Sequence, residues 1–97
     1  MFTGTLALDL LLGEVHSLKE KRSVVRPVVA ALKKLDVSAA EAGHLDLHRR
    51  ALVGVAVVAA DARHVQQVLA ACERLVADRP EVEVLSAHTQ LYKEGDE

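Results

Sequence analysis

The sequence predicts an α+β sandwich built on one antiparallel sheet, and three observations carry that expectation. Period-two and period-three-to-four apolar patterns follow each other in the order strand, helix, strand, strand, helix, strand. A chain of 97 residues has room for one modest core. No linker, repeat or low-complexity segment divides it. A single domain is therefore expected over residues 1–92, with a flexible polar tail at 93–97.

Each element has its own warrant. From Thr3 to Leu12, Leu6, Leu8, Leu10 and Leu12 fall on one side of an extended chain, with Thr5, Ala7, Asp9 and Leu11 opposite. Ser17-Leu18-Lys19-Glu20 then reads as a capping box, so a helix is expected to about Leu35. Pro27 lies inside it, and a missing N–H and a ring clash normally kink a helix there. Val25, Val28, Val29, Leu32 and Leu35 keep helical spacing through the proline, which predicts one helix bent near Ser23.

Val37 to Ala42 is a short second strand, joined by the polar "GHLDLHRR" to the apolar strand Ala51 to Ala60, and the two read as a hairpin. Asp61 caps a second helix, on which Val65, Val68, Leu69, Cys72, Leu75 and Val76 recur at three and four until Pro80 closes it. A last strand runs from about Val82 to Leu91. Two right-handed split crossovers in this order give the ferredoxin-like βαββαβ sandwich: a four-stranded antiparallel sheet with both helices on one face.

Composition excludes several function classes. The longest apolar run, Ala51 to Ala60, is strand-sized, so no membrane helix and no membrane partner are expected. Met1-Phe2-Thr3-Gly4 lacks a basic region and Asp9 interrupts the apolar stretch beyond it, which argues against a secretory signal; the single Cys72 forbids an internal disulfide. Together these point to a reducing cytoplasm. The net charge of −2 hides an asymmetry, with eight Lys/Arg against five Asp/Glu from Glu14 to Arg50 and four against eight from Ala51 onward. The chain is polarised and not basic, so no binding to double-stranded DNA is expected, and any phosphate contact requires a local patch.

The fold itself hosts many functions, so candidate sites have to be weighed residue by residue. Phe2 and Tyr92 are the only aromatics and lie at strand ends, which removes base stacking on the sheet. The first loop reads Gly13-Glu14-Val15-His16, without the cysteine pair of soft-metal carriers or an arginine for an acylphosphatase-like site. No Ser, His and acid set shows a triad spacing, and Cys72 falls among Val65, Leu69 and Val76, where a buried inert thiol is expected. Neither enzyme activity nor a cofactor is expected.

Around the first helix, with Leu18 at zero, Lys19, Arg22, Arg26 and Lys33 fall at about 100°, 40°, 80° and 60°, beside an apolar arc from about 240° to 20°. They form one stripe roughly 22 Å long. It reads either as a solvated flank or as a docking surface for ribosomal RNA or an acidic protein. Lys21 differs: near 300°, it sits within the apolar arc. Its head is expected to snorkel toward the helix start, where His16, Ser17 and free N–H groups make an anion-site candidate that Glu20 would contest.

In "GHLDLHRR", His44, Asp46 and His48 would share a face of an extended chain and converge on zinc, with His16 or His64 as a distant fourth ligand. A turn there would destroy the convergence, and a polar hairpin without metal is the expectation. Finally, strand three is apolar on both sides. Ala7, Leu11, Gly54 and Ala56 would line the sheet face the helices leave open, a surface suited to homodimerisation.

"SLKEKRSVVRP" and "EAGHLDLHRRALVGVAVVAAD", with the chain length, resemble the YlxP-like family of small bacterial proteins of unknown function. The resemblance covers nearly the whole chain. It implies a ferredoxin-like fold and a gene often found beside transcription, translation-initiation and ribosome-maturation factors, and it singles out Asp46 and Arg50 as family-matching hairpin positions. His48 stands where the family usually has Trp, and Pro27 is atypical of its first helix.

Overall fold

A computed structural model describes residues 1–95. The elements are β1 (Phe2–Leu12), α1 (Leu18–Lys33), β2 (Ser38–Gly43), β3 (Arg50–Ala59), α2 (Ala62–Ala77) and β4 (Val82–Lys93). The sheet is fully antiparallel in the order β2-β3-β1-β4, the expected ferredoxin-like arrangement. Every expected element exists, with ends shifted by one or two residues.

The alternation in β1 sorts as expected: Leu6, Leu8, Leu10 and Leu12 are all but inaccessible, as are Ala51, Val53 and Val55 of β3. From above, α1 adds Val25, Val28 and Leu32, and α2 adds Val65, Leu69, Cys72 and Val76. Gly4 marks the tightest contact between layers, since a Cβ there would lie 2.3 Å from Val65 Cγ1 and 2.8 Å from Leu69 Cδ1. Only glycine lets α2 settle onto β1 at that point.

Both helices start as read. Ser17 Oγ accepts from the Glu20 N–H at 3.1 Å, and Asp61 Oδ1 accepts from the Arg63 N–H at 3.0 Å. Helix α1 runs unbroken through Pro27, and the Ser23 hydroxyl donates to the Glu20 carbonyl at 2.6 Å. It closes at Asp36, whose φ of 64° is left-handed and turns the chain toward β2. In β4 the pairing with β1 shifts between Asp9 and Leu10, leaving Leu85 as an extra residue in the strand.

The tail departs from expectation. Lys93 belongs to β4 and pairs with Phe2, and Glu94 exchanges backbone hydrogen bonds with Met1 in both directions. The ladder continues because β1 begins early enough to offer partners. The last two residues of the expected flexible tail lie outside the described residues. Among the described residues no helix is long and apolar enough to cross a membrane.

Candidate functional site

The chemistry-bearing residues gather at one end of the sheet, where β1 and β2 finish and α1 and β3 begin. Lys21, in the first turn of α1, is 2% exposed. Its Nζ donates to the His44 carbonyl at 2.6 Å and lies 2.8 Å from Glu41 Oε2 on β2. The second contact is an ion pair without hydrogen-bond alignment, since Oε2 is buried and accepts no hydrogen bond of good geometry among the described residues. Burying an ammonium unpaired costs several kcal/mol, so helix and hairpin are held in register by its need for these two acceptors.

This corrects the anion-site reading. The head of Lys21 reaches the hairpin and does not join His16 and Ser17. Those two belong to the cap: Glu20 Oε1 accepts from the His16 N–H at 3.3 Å and lies 3.4 Å from Ser17 Oγ. The His16 ring is exposed beside Glu14 at 3.5 Å. Glu20 therefore already takes the His16 N–H, one of the donors an anion there would need.

On the opposite face of the sheet, Asp9 is the centre of a second cluster. Arg50 Nη2 and Nε donate to its two oxygens at 2.7 and 3.2 Å, a bidentate pair, and His44 Nε2 lies 3.4 Å from Oδ1. The Arg50 hydrogen bonds, with its charge and the His44 contacts, hold the Asp9 carboxyl below its ordinary value of 3.8 against the opposing effect of burial. His44 serves both clusters, its carbonyl taking Lys21 and its ring approaching Asp9. Its φ of 56° is left-handed, a conformation disfavoured for a side chain with a Cβ and tolerated here because both contacts hold it.

The hairpin candidates are pulled apart. A turn closed by the Leu47 N–H on the His44 carbonyl at 3.0 Å breaks the alternation of His44, Asp46 and His48, leaving Asp46 and His48 exposed while His44 turns to Asp9. Among the described residues no three His, Cys, Asp or Glu side chains form a metal-binding group. Arg50 pairs with Asp9 and not with Asp46. Arg49, which carried no expectation, donates from Nε to the Leu12 and Gly13 carbonyls at 3.2 and 2.9 Å. It thereby fixes one wall of a cleft of about 420 Å³ whose other charges, Glu14, Glu81 and Glu83, are acidic.

Two surfaces fall where expected. Ala7, Leu11, Gly54 and Ala56 share the open sheet face; Ala7 pairs with Gly54, Thr5 with Ala56 and Leu11 with Arg50 across β1 and β3. Lys19, Arg22, Arg26 and Lys33 are all exposed on α1, and none joins an ion pair among the described residues. Arg22, Arg26 and Lys33 also line a groove of about 410 Å³ between α1 and β2, floored by Val25, Val29 and Ala30. Cys72 is fully buried, and desolvation pushes its thiol above the ordinary value, the inert state expected.

The roles of Asp9 and Glu41 escape a reading of the sequence for one reason. Each is an acid isolated in an apolar or small-residue strand, but its partner is set by strand register. The signal available is reciprocal: Lys21 is the misplaced cation of α1, and Glu41 is the one acid of β2.

Lys21→Met should lower unfolding free energy by about 2–4 kcal/mol in urea titration, and adding Glu41→Leu should restore most of it, because the stranded carboxylate is then gone. The Asp9 carboxyl has a depressed folded value, so its stabilisation is complete above the unfolded value of 3.8 and is lost as pH falls through the folded one. Asp9→Asn should therefore reduce the loss of stability below about pH 4 and leave the part owed to Glu81, whose own carboxyl is lowered by its backbone N–H and by Arg79. Urea midpoints measured at neutral and acid pH check this.

No curated protein matches the chain. A family model does match, over residues 3–89, and its description is a protein of unknown function, DUF503. That span takes in both helices, β2, β3, most of β1 and β4 and all the clusters described above, and the chain belongs to the DUF503 family.

Proposed function

We propose that this chain is a non-catalytic accessory protein of the bacterial cytoplasm, one that docks through the basic flank of α1 onto ribosomal or translation machinery. One observation carries the reading: Lys19, Arg22, Arg26 and Lys33 stand exposed along one flank of α1 and are neutralised by no acid among the described residues. Lys21 on Glu41, Arg50 on Asp9 and Arg79 on Glu81 are the paired Lys and Arg side chains among the described residues; Lys34, Arg63, Arg74 and Lys93 join no ion pair there either, and what sets the four α1 cations apart is that they line one flank of one helix. A row of free cations on a net-negative protein suits an anionic partner and orients the approach to it. The resemblance of "SLKEKRSVVRP" to YlxP-like proteins, whose genes often neighbour translation factors, supports the choice of machinery.

A second observation bears on assembly. The open sheet face carries small and apolar residues, and its central charges, Asp9 and Arg50, already satisfy each other. Covering the β1–β3 part of the face strands neither of these, and Glu83, opposite Leu11 at the β4 edge, would stay at the rim; a homodimer formed through this face is the second reading, compatible with the first.

Reversal of Lys19, Arg22, Arg26 or Lys33 to Glu should reduce co-sedimentation with ribosomal subunits, with stability changed by no more than about 0.5 kcal/mol. Four reversals without effect on co-sedimentation would leave the flank merely solvated. For the dimer, light scattering should give twice the chain mass for the wild type at micromolar concentration, and Ala56→Lys should halve it while circular dichroism stays unchanged. A monomeric wild type ends that reading.

A further inference from the structure

We infer that the groove between α1 and β2 receives an acidic, extended segment of a partner polypeptide, which adds to β2 as a further strand of the sheet. The inference rests on the docking reading above and assigns its partner a chemistry.

Three features of the groove converge. First, β2 is an edge strand, and no hydrogen bond from elsewhere among the described residues reaches the backbone of Ser38–Gly43 on its outer side. Its sequence, "SAAEAG", has none of the lysines or prolines that usually blunt such an edge. Its one charge, Glu41, is directed at Lys21. An edge with alternating free N–H and C=O groups is matched fully by another polypeptide, which brings both donors and acceptors. A phosphate backbone brings acceptors to the N–H groups and nothing for the carbonyls.

Second, the charge on the helix side is right. Arg22, Arg26 and Lys33 line the groove with Val25, Val29 and Ala30, and its one acid, Glu41 of β2, is already paired with Lys21, so the groove keeps a net positive charge. Along the helix axis Arg22 and Arg26 are about 6 Å apart. Same-face residues of an added strand repeat at about 6.8 Å, so successive acidic side chains on one face of the segment can meet successive arginines. The opposite face of the segment would lie beside Ala40 and Ala42, which are exposed and small, and suits apolar side chains there. The expected ligand thus alternates acidic and apolar residues.

Third, the two edges of the sheet differ. The other edge, β4, has Glu83 near its start and borders the acidic cleft, so an acidic strand would be repelled from it. The base-stacking route to RNA lacks aromatics, since Phe2 and Tyr92 stand at strand ends away from α1.

The test uses the full chain and a fluorescein-labelled synthetic peptide of about eight residues alternating glutamate and valine, long enough to pair along β2. Fluorescence anisotropy should show saturable binding, and the same peptide with lysine for glutamate should not bind. The double variant R22E/R26E should weaken binding by about tenfold, the sum of two exposed ion pairs reversed. An added strand turns alternate N–H groups toward β2, so N-methylation of one alternate set of peptide residues should abolish binding and N-methylation of the other set should not. Amide shifts on titration should concentrate in Ser38–Gly43.

Equal tolerance of both N-methylated sets would overturn strand addition and leave charge alone. Absence of peptide binding, combined with an RNA hairpin that binds and is released by R22E/R26E, would overturn the polypeptide partner while the docking reading stands. Conversely, peptide binding lost in R22E/R26E with ribosome co-sedimentation intact would support the groove's occupant and overturn docking on the ribosome through this flank.

Discussion

An ammonium group inside a protein has to be met by acceptors, and in this chain that demand joins the two halves of the fold. Lys21 belongs to α1, whereas Glu41 and His44 belong to β2 and the turn after it. Without the pairing, α1 would rest on the sheet through apolar contacts only, Val25, Val28 and Leu32 with the partly buried Val24 and Val29, which are strong but tolerant of sliding. The 2.6 Å bond to the His44 carbonyl is directional, and with the close ion pair it sets where the start of the helix meets the end of the strand. Such a pair is weak evidence for net stability, because desolvation offsets most of its attraction. Its contribution is to position.

The same hairpin is held from the other face. Arg50, the first residue of β3, closes on Asp9 of β1, and His44 approaches the same carboxylate from the end of β2. Three strands are thus gathered around one acid on the open face while Lys21 gathers helix and hairpin on the covered one. Arg49 completes the arrangement by binding the carbonyls at the end of β1. The cations with carboxylate or carbonyl partners thus serve the fold, and among those without one the four on α1 are the ones that share a single helix flank.

Those remaining cations flank an unfinished edge. Ferredoxin-like sheets end in two edge strands, and in this chain β4 is long and borders acidic residues while β2 is short, small in side chains and adjacent to the arginines of α1. An edge beside matched charge is a recognition surface that requires no cavity, nucleophile or cofactor. The two surfaces proposed for interaction in this DUF503 chain are thus the α1 flank with its neighbouring edge and the open face of the sheet.

The fold was legible because it depends on local periodicity. Leu6, Leu8, Leu10 and Leu12 alternate, Val65, Leu69, Cys72 and Val76 recur at helical spacing, and Ser17 and Asp61 announce their helices; each is a pattern within a few residues, and each settled as read. The stripe on α1 and the four small residues of the open face were legible on the same terms, since residues on one face of one element stay together in any tertiary arrangement. What stayed hidden was pairing between elements. Asp9 meets Arg50 across a separation of 41 residues only because β1 and β3 take one register, and a slip of one residue would put the two side chains on opposite faces. Lys21 could be seen as misplaced, but whether its head would reach the helix start or the hairpin depended on where β2 ended and on the left-handed turn at His44. The sequence by itself determined which residues would be buried and which charges would lie together on a face. The tertiary structure decided which charges neutralise one another, because that choice is made by strand register and by the desolvation cost of leaving any buried charge alone.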